Sequence, residues 1–93
     1  MFKINEYFDG RVKSISFNTS DGPATIGVMS EGEYEFGTSS VEYMTVTSGK
    51  MDILLPYEKN WKTYNQNETF KIEKNQKFGV RVAHDTTYLC LYR

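Results

Sequence analysis

The run from Gly32 to Gly49, GEYEFGTSSVEYMTVTSG, restricts the fold more than any other part of this chain, because its residues alternate with a period of two. Tyr34, Phe36 and Thr38 fall on one face, opposite Glu33, Glu35 and Gly37. From Val41 to Ser48 a second alternation sets Glu42, Met44 and Val46 against Tyr43, Thr45 and Thr47, and Thr and Val favour a pleated backbone. Gly49-Lys50 reads as a two-residue type II′ loop, which predicts that Met51 to Leu55 pairs back antiparallel. A carboxylate, Glu42, therefore stands inside a hairpin among apolar and hydroxyl neighbours.

The remaining segments carry the same short period. Phe2, Ile4, Tyr7 and Phe8 form an aromatic arm, expected to dock, before an Asp9-Gly10 turn. Arg11 to Phe17 alternates with either facing open: Arg11, Lys13, Ile15 and Phe17 against Val12, Ser14 and Ser16. A loop is expected from Asn18 to Pro23, then a strand marked by Ala24, Ile26 and Val28. Further strands are expected at Trp61–Tyr64, Thr69–Ile72, Phe78–Val82 and Tyr88–Tyr92, separated by polar or charged turns. About nine strands with turns every eight to twelve residues predict a β-sandwich or small barrel.

At 93 residues the chain is long enough for one modest core and too short for two. A net charge of −1 with scattered basic residues argues against a nucleic-acid partner. No apolar run reaches the ~20 residues needed to span a bilayer, and no signal-peptide core opens the chain. The single cysteine, Cys90, rules out an internal disulfide and fits a reducing compartment, so a cytoplasmic setting without membrane partners is expected.

Glu42, followed by six residues and Gly49, resembles the second half of the first cupin motif, in which a His-x-His pair precedes the Glu. In that register Phe36 and Thr38 stand where two metal histidines would be, and Phe78 stands where a third would be. A narrower resemblance covers nearly the whole chain. Asn5-Glu-Tyr-Phe8 with Gly10, Val12-Lys-Ser-Ile15, Gly27-Val-Met29, Gly32-Glu-Tyr34 with Phe36, Met44-Thr-Val46, Ser48-Gly49, Leu54-Leu-Pro56, Trp61 and Tyr88-Leu-Cys90 with Tyr92 are similar to the small pyrimidine/purine nucleoside phosphorylases. The resemblance implies an all-β, single-domain cupin over residues 1–93, a small jelly-roll β-barrel. It implies a homodimeric pentosyltransferase that uses inorganic phosphate to split purine and pyrimidine nucleosides, without metal or organic cofactor. One departure is Leu91, where the family pattern carries a basic residue; Arg93 and Arg81 are candidate substitutes.

That chemistry sets three demands: an anion site, a carboxylate near the ribosyl centre where positive charge builds, and a proton for the departing base. Glu42 is the catalytic candidate, because burial disfavours its ionised form. Tyr34, Phe36, Phe78 and Tyr92 are candidates for stacking on the nucleoside, with Met44 beside Glu42 and Thr38 within reach of sugar hydroxyls; aromatic residues at alternate strand positions also serve as plain core. Lys13, Arg81 and Ser48 are the phosphate candidates. His84 lies in a turn-like Ala-His-Asp-Thr-Thr run and, as the only histidine, does not make a metal site. Cys90 reads as a packed thiol. A non-catalytic cupin-like module that binds a nucleotide or sugar is the alternative from another class.

Overall fold

The computed structural model describes residues 1–93 and contains ten strands and no helix. They are β1 (Lys3–Tyr7), β2 (Val12–Thr19), β3 (Gly22–Met29), β4 (Gly32–Gly37), β5 (Glu42–Ser48), β6 (Lys50–Leu54), β7 (Lys62–Asn65), β8 (Thr69–Ile72), β9 (Lys77–Val82) and β10 (Thr86–Tyr92). Six strands form one antiparallel sheet in the order β1-β2-β3-β10-β5-β8, and four form the other in the order β4-β9-β6-β7. The inner faces enclose a core that includes Val12, Met29, Val46, Met51, Ile53 and Val80, all fully buried.

The aromatic arm is only half docked. Its first part pairs with β2 as the edge strand β1, in register Ile4↔Ile15 and Tyr7↔Val12. Phe8 then packs on Tyr34 and Phe36 of the opposite sheet, with ring centroids 5.0 and 5.5 Å away. Phe2 and Ile4 remain exposed. The expected loop from Asn18 to Pro23 contracts to a tight turn at Ser20-Asp21, because β2 and β3 stay paired out to Thr19↔Gly22.

The expected hairpin at Gly49-Lys50 does not form. β5 pairs with β10 and β8, whereas β6 pairs with β7 and β9 in the other sheet. Gly49 is a corner between the sheets, with φ at +90°. A side chain there would lie 2.8 Å from Thr86 Oγ1, so both backbone conformation and space require glycine. Thr86 supports the corner by donating a hydrogen bond to the His84 carbonyl at 2.9 Å.

The alternations read from sequence survive this change of partner. Tyr34 and Phe36 turn inward from β4, and Met44 and Val46 turn inward from β5 beside Glu42. The ambiguous strand β2 buries Val12 and Ser14 and sends Lys13 and Ile15 outward.

Candidate active site

Directly opposed residues of an antiparallel pair share a face, so the strand registers lay out the inner wall of the larger sheet row by row. One row runs Lys3, Ser16, Thr25, Cys90, Met44, Phe70, and the next runs Asn5, Ser14, Gly27, Tyr88, Val46. Tyr92 and Glu42 oppose each other across β10 and β5. A polar strip thus crosses the interior from the edge strand β1 to Glu42.

Glu42 lines a cavity of about 120 Å³ together with Phe36, Met44, Phe78, Tyr88 and Tyr92. The rings opposite Glu42 belong to an aromatic row in which Phe36 and Phe78 lie 5.9 Å apart and Phe78 and Phe70 6.3 Å apart. Cys90 donates its S–H to Glu42 Oε1 at 3.4 Å. Burial raises the Glu42 pKa above its ordinary value, and the Cys90 contact opposes part of that rise. The carboxyl is therefore held toward its protonated form in a mostly apolar enclosure. Burial also pushes Cys90 and Tyr92 well up, and Tyr88 up to about 12, so these groups stay neutral donors at physiological pH.

Hydroxyls continue the strip outward. Tyr92 and Thr25 share a hydrogen bond of 2.9 Å. Asn5 Nδ2 donates to Ser14 Oγ at 3.2 Å and to Ser16 Oγ at 3.0 Å. A side chain at Gly27 would overlap the Tyr88 ring, so glycine lets that ring lie against the β3 backbone beside Glu42's cavity. A second, wider cavity of about 430 Å³ shares Tyr7 and Tyr92 with the first and opens between β1, β2 and β3.

The site candidates divide into two groups. Glu42, Phe36, Met44, Phe78 and Tyr92 meet around one cavity. Tyr34 lies on the inner face but points toward the N-terminal arm, where its hydroxyl donates to the Ser30 carbonyl at 2.6 Å and Arg11 covers its ring at 5.2 Å. Thr38 is buried in the turn after β4, donating to the Glu73 carbonyl at 2.7 Å and accepting from Gln76 N at 3.0 Å. Its hydroxyl is committed to backbone and does not reach the cavity.

The expected phosphate residues also lie elsewhere. Lys13 faces outward and pairs with Glu6 at 3.2 Å. Arg81 faces outward because β9 pairs with β4 without a bulge, which keeps Phe78 and Val80 inside. Its Nε donates to Asp52 Oδ2 at 3.1 Å, and its guanidinium stacks over Trp61 at 4.2 Å. Ser48 is exposed at the far end of β5, about 20 Å along the strand from Glu42 at 3.3 Å per residue. Arg93 folds back onto the Tyr92 carbonyl at 2.9 Å, and Leu91 belongs to the outer face, so the departure at position 91 does not alter the cavity wall. His84 is exposed in the bend between β9 and β10.

Sequence reasoning missed Asn5, Ser14, Thr25 and Tyr88. Their signal was the run of small polar residues alternating with Ile15 and Ile26, which was legible as a face but not as an inner one.

These features define a cupin-type all-β protein whose interior presents one carboxylate, phenols and hydroxyls. No three His, Cys, Asp or Glu side chains come together in a way that could hold a metal ion. A crystal structure of a protein of unknown function from Vibrio parahaemolyticus matches with a TM-score of 0.93 at 42% identity, covering 97% of this chain and 96% of that one. An RmlC-like cupin from Shewanella frigidimarina shares the fold alone, with a TM-score of 0.72 at 13% identity over 96% of this chain and 80% of that one.

The chain belongs to the pyrimidine/purine nucleoside phosphorylase family, whose model matches residues 2–92. A relative of that name from Alcanivorax borkumensis is 61% identical, with 99% of this chain and 98% of the relative covered. Another from Pseudomonas fluorescens is 57% identical, with 100% and 99% covered.

Proposed function

We propose that residues 1–93 act as one cupin domain that catalyses phosphorolysis of purine and pyrimidine nucleosides without a metal ion. The observation that carries this reading is Glu42, a half-buried carboxyl held toward protonation beside Phe36, Phe78 and Tyr92 in a chain of this family. A phosphate oxygen bonds to C1′ of the pentose while the C1′–N bond breaks and its electron pair leaves with the base. The base gains one proton and hydrogen phosphate gives one up, so the exchange balances. Glu42 in its protonated form supplies a proton toward the base, and in its ionised form it faces the positive charge developing on the ribosyl carbon. The aromatic wall accepts different bases because every base presents a π-face. Phe36 and Phe78, which the sequence resemblance sets where cupin metal histidines stand, carry no ligand atom, and the hydroxyl of Thr38, set at another such position, is taken up by backbone hydrogen bonds.

A homodimer and a cytoplasmic setting complete the proposal. Ile4, Ile15 and Ile26 are 67%, 45% and 53% exposed and stand side by side across β1, β2 and β3, with Val28 adjacent. Such a patch on a small protein fits a self-complementary contact. The unpaired, buried Cys90 is compatible with a reducing compartment. No helix is long and apolar enough to cross a membrane.

Incubation of the purified protein with uridine or inosine and phosphate is expected to release free base and ribose 1-phosphate at a rate unchanged by EDTA. Folded protein that releases no base in a phosphate-dependent way across several nucleosides refutes the proposal. Thermal stabilisation by nucleoside without product would then identify a binding module.

A further inference from the structure

We propose that inorganic phosphate binds at the mouth of the wider cavity, held by the Lys3 ammonium and the Ser16 hydroxyl, with Asn5 as a positioning residue. The inference rests on the phosphorolytic reading and supplies the anion site that Lys13, Arg81 and Ser48 do not provide. Lys3 is opposite Ser16 in the β1–β2 register, on the same face as the buried Ser14, and it lines the wider cavity. It is the only basic side chain lining either this cavity or that of Glu42, and no Asp or Glu lines the wider one.

The donors around Lys3 are oriented for an anion. Asn5 gives its two amide hydrogens to Ser14 and Ser16, so Ser16 Oγ is already an acceptor and its own O–H is left to donate. Three N–H groups of Lys3 and this hydroxyl then match phosphate oxygens, which accept strongly from charged donors. Tyr7 and Tyr92 border both cavities, so an anion at this mouth lies next to the cavity of Glu42.

Spacing favours the same arrangement. β1 and β5 are separated by four strand steps, ~19 Å between backbones on a flat sheet at about 4.8 Å per step. The side chains of Lys3 and Glu42 both rise from the inner face of that sheet, so under this proposal the pentose lies across β2, β3 and β10 with phosphate toward β1 and the base toward β5. Edge strand β1 thereby gains a functional reason to carry a lysine on its inner face.

The test uses protein tagged at its C-terminus, because a tag beside Lys3 would perturb the mouth. Lys3→Met, Lys3→Arg, Ser16→Ala and Glu42→Gln are compared with wild type in two measurements. Initial rates give separate KM values for phosphate and nucleoside, and the ³¹P linewidth of phosphate reports binding without turnover. Lys3→Met is expected to raise the phosphate KM by about tenfold or more, in line with loss of a charged hydrogen bond, with nucleoside KM within about twofold. Lys3→Arg is expected to retain phosphate binding, Ser16→Ala to weaken it less than Lys3→Met, and Glu42→Gln to leave line broadening intact. A phosphate KM within about twofold of wild type in an active Lys3→Met protein overturns the site. If wild type proves inactive, broadening that disappears in Lys3→Met keeps the anion site while the phosphorolytic reading falls. Wild type that neither reacts nor broadens the phosphate line overturns both.

Discussion

Gly27→Ala couples stability to the shape of the cavity, and its cost follows from the geometry. Gly27 lies on the inner face of β3, opposite Ser14 on one side and Tyr88 on the other. A methyl group there would stand 2.6 Å from Tyr88 Cε1 and closer still to Cζ and Oη, against an ordinary carbon contact of about 3.5–4.0 Å. The ring must therefore retreat by roughly 1 Å. Tyr88 is only 5% exposed, and its open side is the cavity that it shares with Glu42. Overpacking of this kind costs about 1–3 kcal/mol, and each kcal/mol shifts Tm by about 4–8 °C in a domain of this size. A fall of about 5–20 °C is expected by calorimetry or near-ultraviolet circular dichroism. Nucleoside KM should rise with it, because the displaced ring enters the cavity.

Gly79→Ala serves as the comparison, since its methyl meets only the outer-face Trp61 and Leu54 at 3.0–3.4 Å, where Trp61 is not packed into the core. It should cost less. In a Tyr88→Leu background the Gly27→Ala penalty should shrink, which a double-mutant cycle measures directly. A Gly27→Ala protein within about 0.5 kcal/mol of wild type would refute the overpacking argument.

Glu42→Gln is expected to lower turnover by about 10²–10⁴-fold, the range for a lost general acid, while improving stability at higher pH. The folded-state pKa of Glu42 is raised above 4.5, so its favourable contribution is complete below the ordinary value and is lost as pH rises through the raised one. The Tm advantage of Glu42→Gln should therefore grow between pH 4 and pH 8; an advantage that stays flat contradicts the assignment. Thr38→Val removes a donor to Glu73 and an acceptor for Gln76 N in a buried turn, with an expected loss of about 1–3 kcal/mol that Thr38→Ser recovers in denaturant melts. Ile26→Lys places a charge amid Ile15 and Leu89 on the outer face. Sedimentation should report a monomer for that variant and twice the chain mass for wild type, whereas monomeric wild type would discard the proposed interface.

The strands were legible because alternation is a local property, and Thr69–Ile72 and the facing of Glu42, Met44 and Val46 follow directly from it. Partnering was not legible. Gly49-Lys50 carries a sound hairpin signal, yet the chain turns a corner there because β5 finds its partners in β8 and β10 and β6 in β7 and β9, all further along the chain. The facing of β1–β3 stayed open for a different reason. Beyond the apolar row Tyr7, Val12, Met29, their inner side carries Lys3, Asn5, Ser14, Ser16 and Thr25 while their outer side carries Ile4, Ile15 and Ile26, a local inversion of the usual rule that apolar residues point inward. Glu42 stood out as a candidate because a carboxylate sharing a strand face with Met44 and Val46 is conspicuous in any register. Lys3 escaped notice because an arm of mixed aromatic and polar residues gives no facing until its partner strand is known.

β10 links the two portions of the larger sheet, pairing with β3 on one side and β5 on the other. It is also the last of the ten strands to be synthesised. Before it arrives, β1–β3 can form a three-stranded meander by local pairing, and β5 can pair with β8, but the two pieces have no strand in common. During synthesis the anion end and the carboxylate end of the polar strip thus exist on separate pieces. The closure that joins them is non-local and carries a loop-closure cost of its own. The polar interior is therefore completed in a single late event, and a nascent chain lacking β10 exposes strand edges rather than an assembled cavity.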